Sequence, residues 1–146
     1  FNPAEAFGGV VWRADETAQG LILNNQIEPL IIVGIYNSGE QRIDEYTPVR
    51  TEVGRMRGRG GEADRYGRMI IEELKPFIDG KYLTRPEREH TGIGGSSLGG
   101  LVSLYLGFKR PDVFSRVAAL SPSVWWANNH LIRETAKLEG RIPLRI

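Results

Sequence analysis

The chain has 146 residues, 40% hydrophobic and 25% charged, which suits one globular domain and excludes a disordered segment. A formal net charge of +1 excludes the bulk field that draws in nucleic acid or an anionic membrane. Cysteine is absent, which excludes disulfides and thiolate metal sites, and the longest apolar runs are too short to span a bilayer.

The elements follow in chain order. Val11, Ala14, Ala18, Leu21 and Ile22 repeat at helical spacing and predict a helix over Val11–Asn25, with Asn24-Asn25 as its stop. Pro29 keeps the next residues extended, and the apolar run Leu30–Tyr36 predicts a parallel strand buried on both faces. Residues 37–61 form a polar, Gly-rich stretch of the length that marks a functional or disordered loop. A helix is predicted over Glu62–Ile78, with Ala63, Tyr66, Ile70, Leu74 and Phe77 on one face and Pro76 kinking or ending it. The strand Thr91–Gly95 reads as fully buried and runs into Ser96-Ser97. The helix after it carries Leu98, Leu101, Val102, Tyr105 and Leu106 at i, i+3, i+4, i+7 and i+8 and is closed by Pro111. Val117–Leu120 is a further strand, His130–Leu138 a helix and Pro143–Ile146 the start of another strand. This alternation predicts βαβ units and a parallel sheet.

Gly95-Ser96-Ser97-Leu98-Gly99 is a G-x-S-x-G pentapeptide between a predicted strand and a predicted helix. A serine on so tight a turn is held in a strained backbone conformation with its hydroxyl above the sheet. Residues two before and two after it approach closely, which calls for glycine at both places. The helix that follows aims its first N–H groups at the same point, so the Leu98 N–H suits an oxyanion formed when Ser97 attacks a carbonyl. The same stretch offers a rival reading. Gly92-Ile-Gly-Gly-Ser-Ser97 approximates a dinucleotide fingerprint, with Asp112 lying 20 residues after Gly92 where a ribose-binding acid could sit. Its third small position is serine, however, and Asp112 follows Pro111 in a turn rather than at a strand end.

Gly94-Gly-Ser-Ser-Leu-Gly-Gly-Leu101, with Pro111-Asp-Val-Phe114 and Leu120-Ser-Pro-Ser-Val-Trp-Trp126, resembles the putative-esterase family of α/β hydrolases. That family includes esterase D-like enzymes, trilactone siderophore esterases, and feruloyl and acetyl xylan esterases. Val33–Asn37, Arg42–Pro48 and Glu73–Asp79 are similar to family segments too, so the resemblance covers nearly the whole chain. It implies an α/β-hydrolase fold, a mostly parallel sheet with helices on both faces, and a serine carboxylic-ester hydrolase acting through an acyl-enzyme on Ser97. It also implies that residues 1–146 are a single incomplete domain, since family members begin with further strands and end with the acid and then the histidine. His90 lies before the Thr91 strand, and His130 follows Ser97 by 33 residues where the family does not place its base.

Trp125 and Trp126 follow a predicted strand end on the side of the sheet where ligands collect, and either suits stacking on a ring while one packs under the loop. Arg42, Glu45 and Tyr46 occupy the long loop and line the cleft or form a stapling ion pair. Residues 50–60 hold four Arg against one Glu, which reads as a solvated rim of the site rather than a nucleic-acid contact, because no aromatic interleaves it. The expectation is therefore an esterase acting on small-molecule or carbohydrate-linked esters, with no cofactor, metal, nucleic acid or membrane partner, and with its compartment open. A non-catalytic α/β binding domain and a dinucleotide-binding domain are the alternatives.

Overall fold

In the computed structural model, which describes residues 11–137, the chain divides into two units, Phe1–Tyr36 and Asn37–Ile146. In the first, helix α1 (Ala14–Leu23) half-buries the face that the spacing predicts, Ala14, Ala18, Leu21 and Ile22. Asn24 ends it, its side-chain amide and backbone N–H both donating to the Gly20 carbonyl, at 2.9 and 3.2 Å. Leu30–Tyr36 departs from expectation. It forms no strand, and its side chains are exposed, from 37% at Ile35 to 71% at Tyr36. A buried parallel strand needs a ladder partner, and none of the described residues forms a ladder with this run.

The second unit begins with the long loop, which is neither loose nor featureless. Two 3-10 turns (Gly39–Gln41 and Gly54–Met56), helix α2 (Arg42–Glu45) and an antiparallel bridge between Arg50 and Gly60 organise it. Asp44 staples the loop shut. Its carboxylate accepts the Gly60 N–H at 2.6 Å and the Arg59 guanidinium at 2.8 Å, and Arg59 also donates to the Glu40 carbonyl at 2.7 Å. Thr47 is wholly buried, its hydroxyl donating to the Ile43 carbonyl at 2.8 Å while its own carbonyl accepts the Gly61 and Ala63 N–H groups. The staple is thus Asp44–Arg59 and not the pairing of Arg42 with Glu45. Arg42 lies over the Tyr46 ring at 5.5 Å, and Glu45 accepts the Ser38 N–H at 3.2 Å.

The next helix comes in three parts: α3 (Ala63–Arg68), a π-helical turn (Met69–Leu74) and α4 (Lys75–Lys81). Ala63, Tyr66 and Ile70 are buried as their spacing predicts, but Phe77 is 59% exposed and Ile78 is half-buried in its place. A π turn accommodates one residue more than an α turn, so it advances the buried stripe by one position. It also lets the helix run through Pro76, which neither ends it nor needs the N–H that proline lacks.

The parallel pair β1 (Gly92–Ser96) and β2 (Arg116–Leu120) is joined by α5 (Leu98–Lys109), with Gly92 opposite Arg116 and Ser96 opposite Leu120. α5 packs its buried Leu98, Leu101, Val102 and Leu106 into a core with Tyr46, Tyr66, Phe114 and Trp126. Each such side chain, removed from water, contributes about 1.5–3 kcal/mol. β1 departs from the fully buried strand that its sequence predicts: it alternates, with Gly92 and Gly94 exposed and Ile93, Gly95 and Ser96 half-buried. Helix α6 (Trp126–Thr135) starts with three left-handed residues, Ala127, Asn128 and Asn129, so regular helix begins at His130, as predicted. Leu138 and the strand expected at Pro143–Ile146 lie outside the described residues.

Candidate active site

Ser97 stands between the last residue of β1 and the first of α5, with φ 57° and ψ −120°, in the region L-residues avoid. The turn is held on both sides of the serine. Its N–H donates to the Leu120 carbonyl at 3.0 Å, and its carbonyl accepts the Leu101 and Ser123 N–H groups, each at 3.0 Å. The close approach expected of the pentapeptide is present at one end. A Cβ on Gly95 would meet the Gly99 carbonyl carbon and oxygen at 2.5 Å, whereas a Cβ on Gly99 would meet nothing within 4 Å. Glycine is therefore required sterically at Gly95 and not at Gly99.

The Ser97 residue is exposed, and its hydroxyl lies 3.2 Å from that of Ser123, which is buried. Among the described residues no histidine bonds to Ser97: His90 closes a 3-10 turn ahead of β1, and His130 faces Glu134 on α6. The Leu98 N–H lies in the first turn of α5, where N–H groups have no helical carbonyl to bond. Ser123 falls within the Leu120–Trp126 segment that carries the resemblance, but no periodicity or spacing singled it out for a role at Ser97.

The tryptophan pair divides. Trp126 is 3% exposed, its indole N–H donating to the Val49 carbonyl at 2.8 Å, and Gly60 is packed so closely that a Cβ there would lie 2.9 Å from the Trp126 ring. Trp125 is 63% exposed, tilted at 51° to Trp126. It lines a groove of about 250 Å³ together with Trp126, Val53, Arg55 and Met56. Arg42 lies on Tyr46, as described above. The residues of the dinucleotide reading are otherwise engaged: Asp112 is paired to Arg110 at 2.8 Å in the turn after α5, which holds its carboxyl below the usual range. No cluster of His, Asp and Glu among the described residues has the arrangement of a metal site.

A sequence-family profile described as "Putative esterase" matches residues 10–140. The chain belongs to this esterase family. It is 34% identical over 120 residues to ferri-bacillibactin esterase BesA of Bacillus subtilis, covering 73% of this chain and 40% of that protein. Among solved structures, the siderophore hydrolase EstA of Aspergillus nidulans superposes with a TM-score of 0.65 at 26% identity, over 85% of this chain and 45% of EstA. The BES protein of Bacillus cereus superposes with a TM-score of 0.67 at 23% identity, over 86% of this chain and 49% of the other, a likeness of fold alone. The fold is thus the α/β fold of the esterases, as its strand and helix order predicts. This esterase-family chain spans less than half the length of these relatives.

Proposed function

We propose that the chain is the central part of a serine carboxylic-ester hydrolase domain in which Ser97 is the nucleophile. The observation that carries the reading is the turn at Ser97, a left-handed serine between a parallel strand and an amphipathic helix. Such a turn supports reading the segment as a nucleophile elbow. Ser97 attacks the ester carbonyl, the alcohol leaves, and water releases the acyl group. The Leu98 N–H stabilises the oxyanion at the N-terminus of α5, where aligned peptide dipoles favour negative charge. The acid and the histidine come from the other half of the domain, a reading supported by the coverage of the relatives; among the described residues no histidine bonds to Ser97. No cofactor takes part. The substrate is a small-molecule or carbohydrate-linked ester, and its ring or sugar stacks on Trp125, which the exposed groove favours over the buried Trp126. Arg42 is left with a contact to Tyr46 and reaches substrate only as part of the rim.

The test is made in the full-length protein. S97A is expected to lose several orders of magnitude in ester hydrolysis, about the loss found for triad serines, and to lose labelling by a serine-directed phosphonate. Turnover retained in S97A refutes the reading in favour of another nucleophile, whereas a wild-type protein with neither turnover nor labelling favours a binding domain. W125A is expected to raise KM for aromatic or glycosyl esters more than for p-nitrophenyl acetate, while W126A loses stability and affects both substrates alike.

A further inference from the structure

We propose that Ser123 is a positioning residue for Ser97, donating its hydroxyl proton to Ser97 Oγ. The proposal rests on the reading of Ser97 as nucleophile. Ser123 is 4% exposed, and its Oγ lies 3.2 Å from Ser97 Oγ. It gets there because Ser121, with φ 43°, turns the chain back after β2 so that the Ser123 N–H reaches the Ser97 carbonyl at 3.0 Å. Backbone and side chain of Ser123 therefore hold Ser97 at two separate points.

The direction of the side-chain bond follows from the inventory of a hydroxyl, which has one proton and two lone pairs. A nucleophilic serine gives its proton to a base. Ser97 then has no proton to share with Ser123, so Ser123 supplies the one between them. A donor aimed at one lone pair fixes the Ser97 rotamer and sends its proton away from Ser123, toward the open side of the site. Among the described residues no buried side-chain oxygen or nitrogen lacks a partner, and for Ser123 that partner is Ser97. Removing the Ser123 hydroxyl leaves the backbone clamp intact, and exposed Ser97 can bond to water instead. The loss then falls on orientation and not on the fold.

The experiment uses S123A and S123T in the full-length protein, with kcat and KM on a p-nitrophenyl ester, the rate of fluorophosphonate labelling of Ser97, and the melting temperature. S123A is expected to keep its melting temperature and KM while losing about tenfold in kcat and in labelling rate, the scale of one lost hydrogen bond. S123T, which keeps the hydroxyl, is expected to recover both. Wild-type kcat and labelling in S123A overturn the assignment. So does a loss of kcat that comes with a lower melting temperature and persists in S123T. Failure of the nucleophile reading looks different: the probe labels a residue other than Ser97, or S97A turns over.

Discussion

The two outer glycines of the pentapeptide are unequal, and the inequality is testable. A Cβ on Gly95 runs into the backbone of Gly99, which no side-chain rotation can relieve. G95A is expected to push α5 off β1 and destabilise the protein by about 1–3 kcal/mol, with Ser97 displaced and phosphonate labelling lost. G99A meets open space in a helix, where alanine is favoured over glycine by at most about 1 kcal/mol. It is expected to be neutral or slightly stabilising in urea melts and to retain labelling. Equal damage from both would mean that the elbow packs differently from the arrangement described. The tight turn at Ser97 was legible because it depends on short-range spacing. Ser123 was not, because its relation to Ser97 spans 26 positions and arises from strand register and a single left-handed residue.

Among the elements, α5 was read almost completely from its apolar stripe, and β1 and β2 to within one residue. The helix after the loop was right until Ile70 and wrong at Phe77, because a fixed period of 3.6 cannot foresee a π turn. In the loop a stapling ion pair was foreseen but its residues were not, since its order comes from the Asp44 carboxylate and not from hydrophobic pattern. The Arg59 guanidinium holds the Asp44 carboxyl below its ordinary value of 3.8. A depressed carboxylate contributes its stability fully above the unfolded value and loses it as pH falls through the lowered folded value. D44N keeps an oxygen for the Gly60 N–H but loses the charge facing Arg59. It is expected to melt below wild type at neutral pH and to be cut faster by trypsin in the Arg50–Arg59 stretch. The difference in melting should begin to shrink as pH falls toward the ordinary value of 3.8 and vanish only below the lowered folded value, where the Asp44 carboxyl is protonated in both states. A gap that persists there would assign the loss to packing.

For the whole molecule, the exposed run Leu30–Tyr36 has the largest consequences. Its alternative as a buried strand failed for lack of a ladder among the described residues, which no reading of that segment alone could reveal. An extended apolar run without a ladder is a template for pairing with another chain. The 146 residues by themselves are expected to elute as associated species, to lack esterase turnover and to melt without a single sharp transition. A monomeric, cooperative and active preparation would refute this and would make His90 or His130 the base. By contrast, the parallel β1–α5–β2 unit around Ser97 closes over a short stretch, all of it between Gly92 and Leu120. Contacts that near in sequence cost little loop entropy and form early. The order of assembly then runs outward from the turn at Ser97, so a growing polypeptide would shape that turn before its more distant contacts form. Pulse-labelled hydrogen exchange should find the amides of Leu101–Leu106 among the first protected, and late protection there would reverse that order.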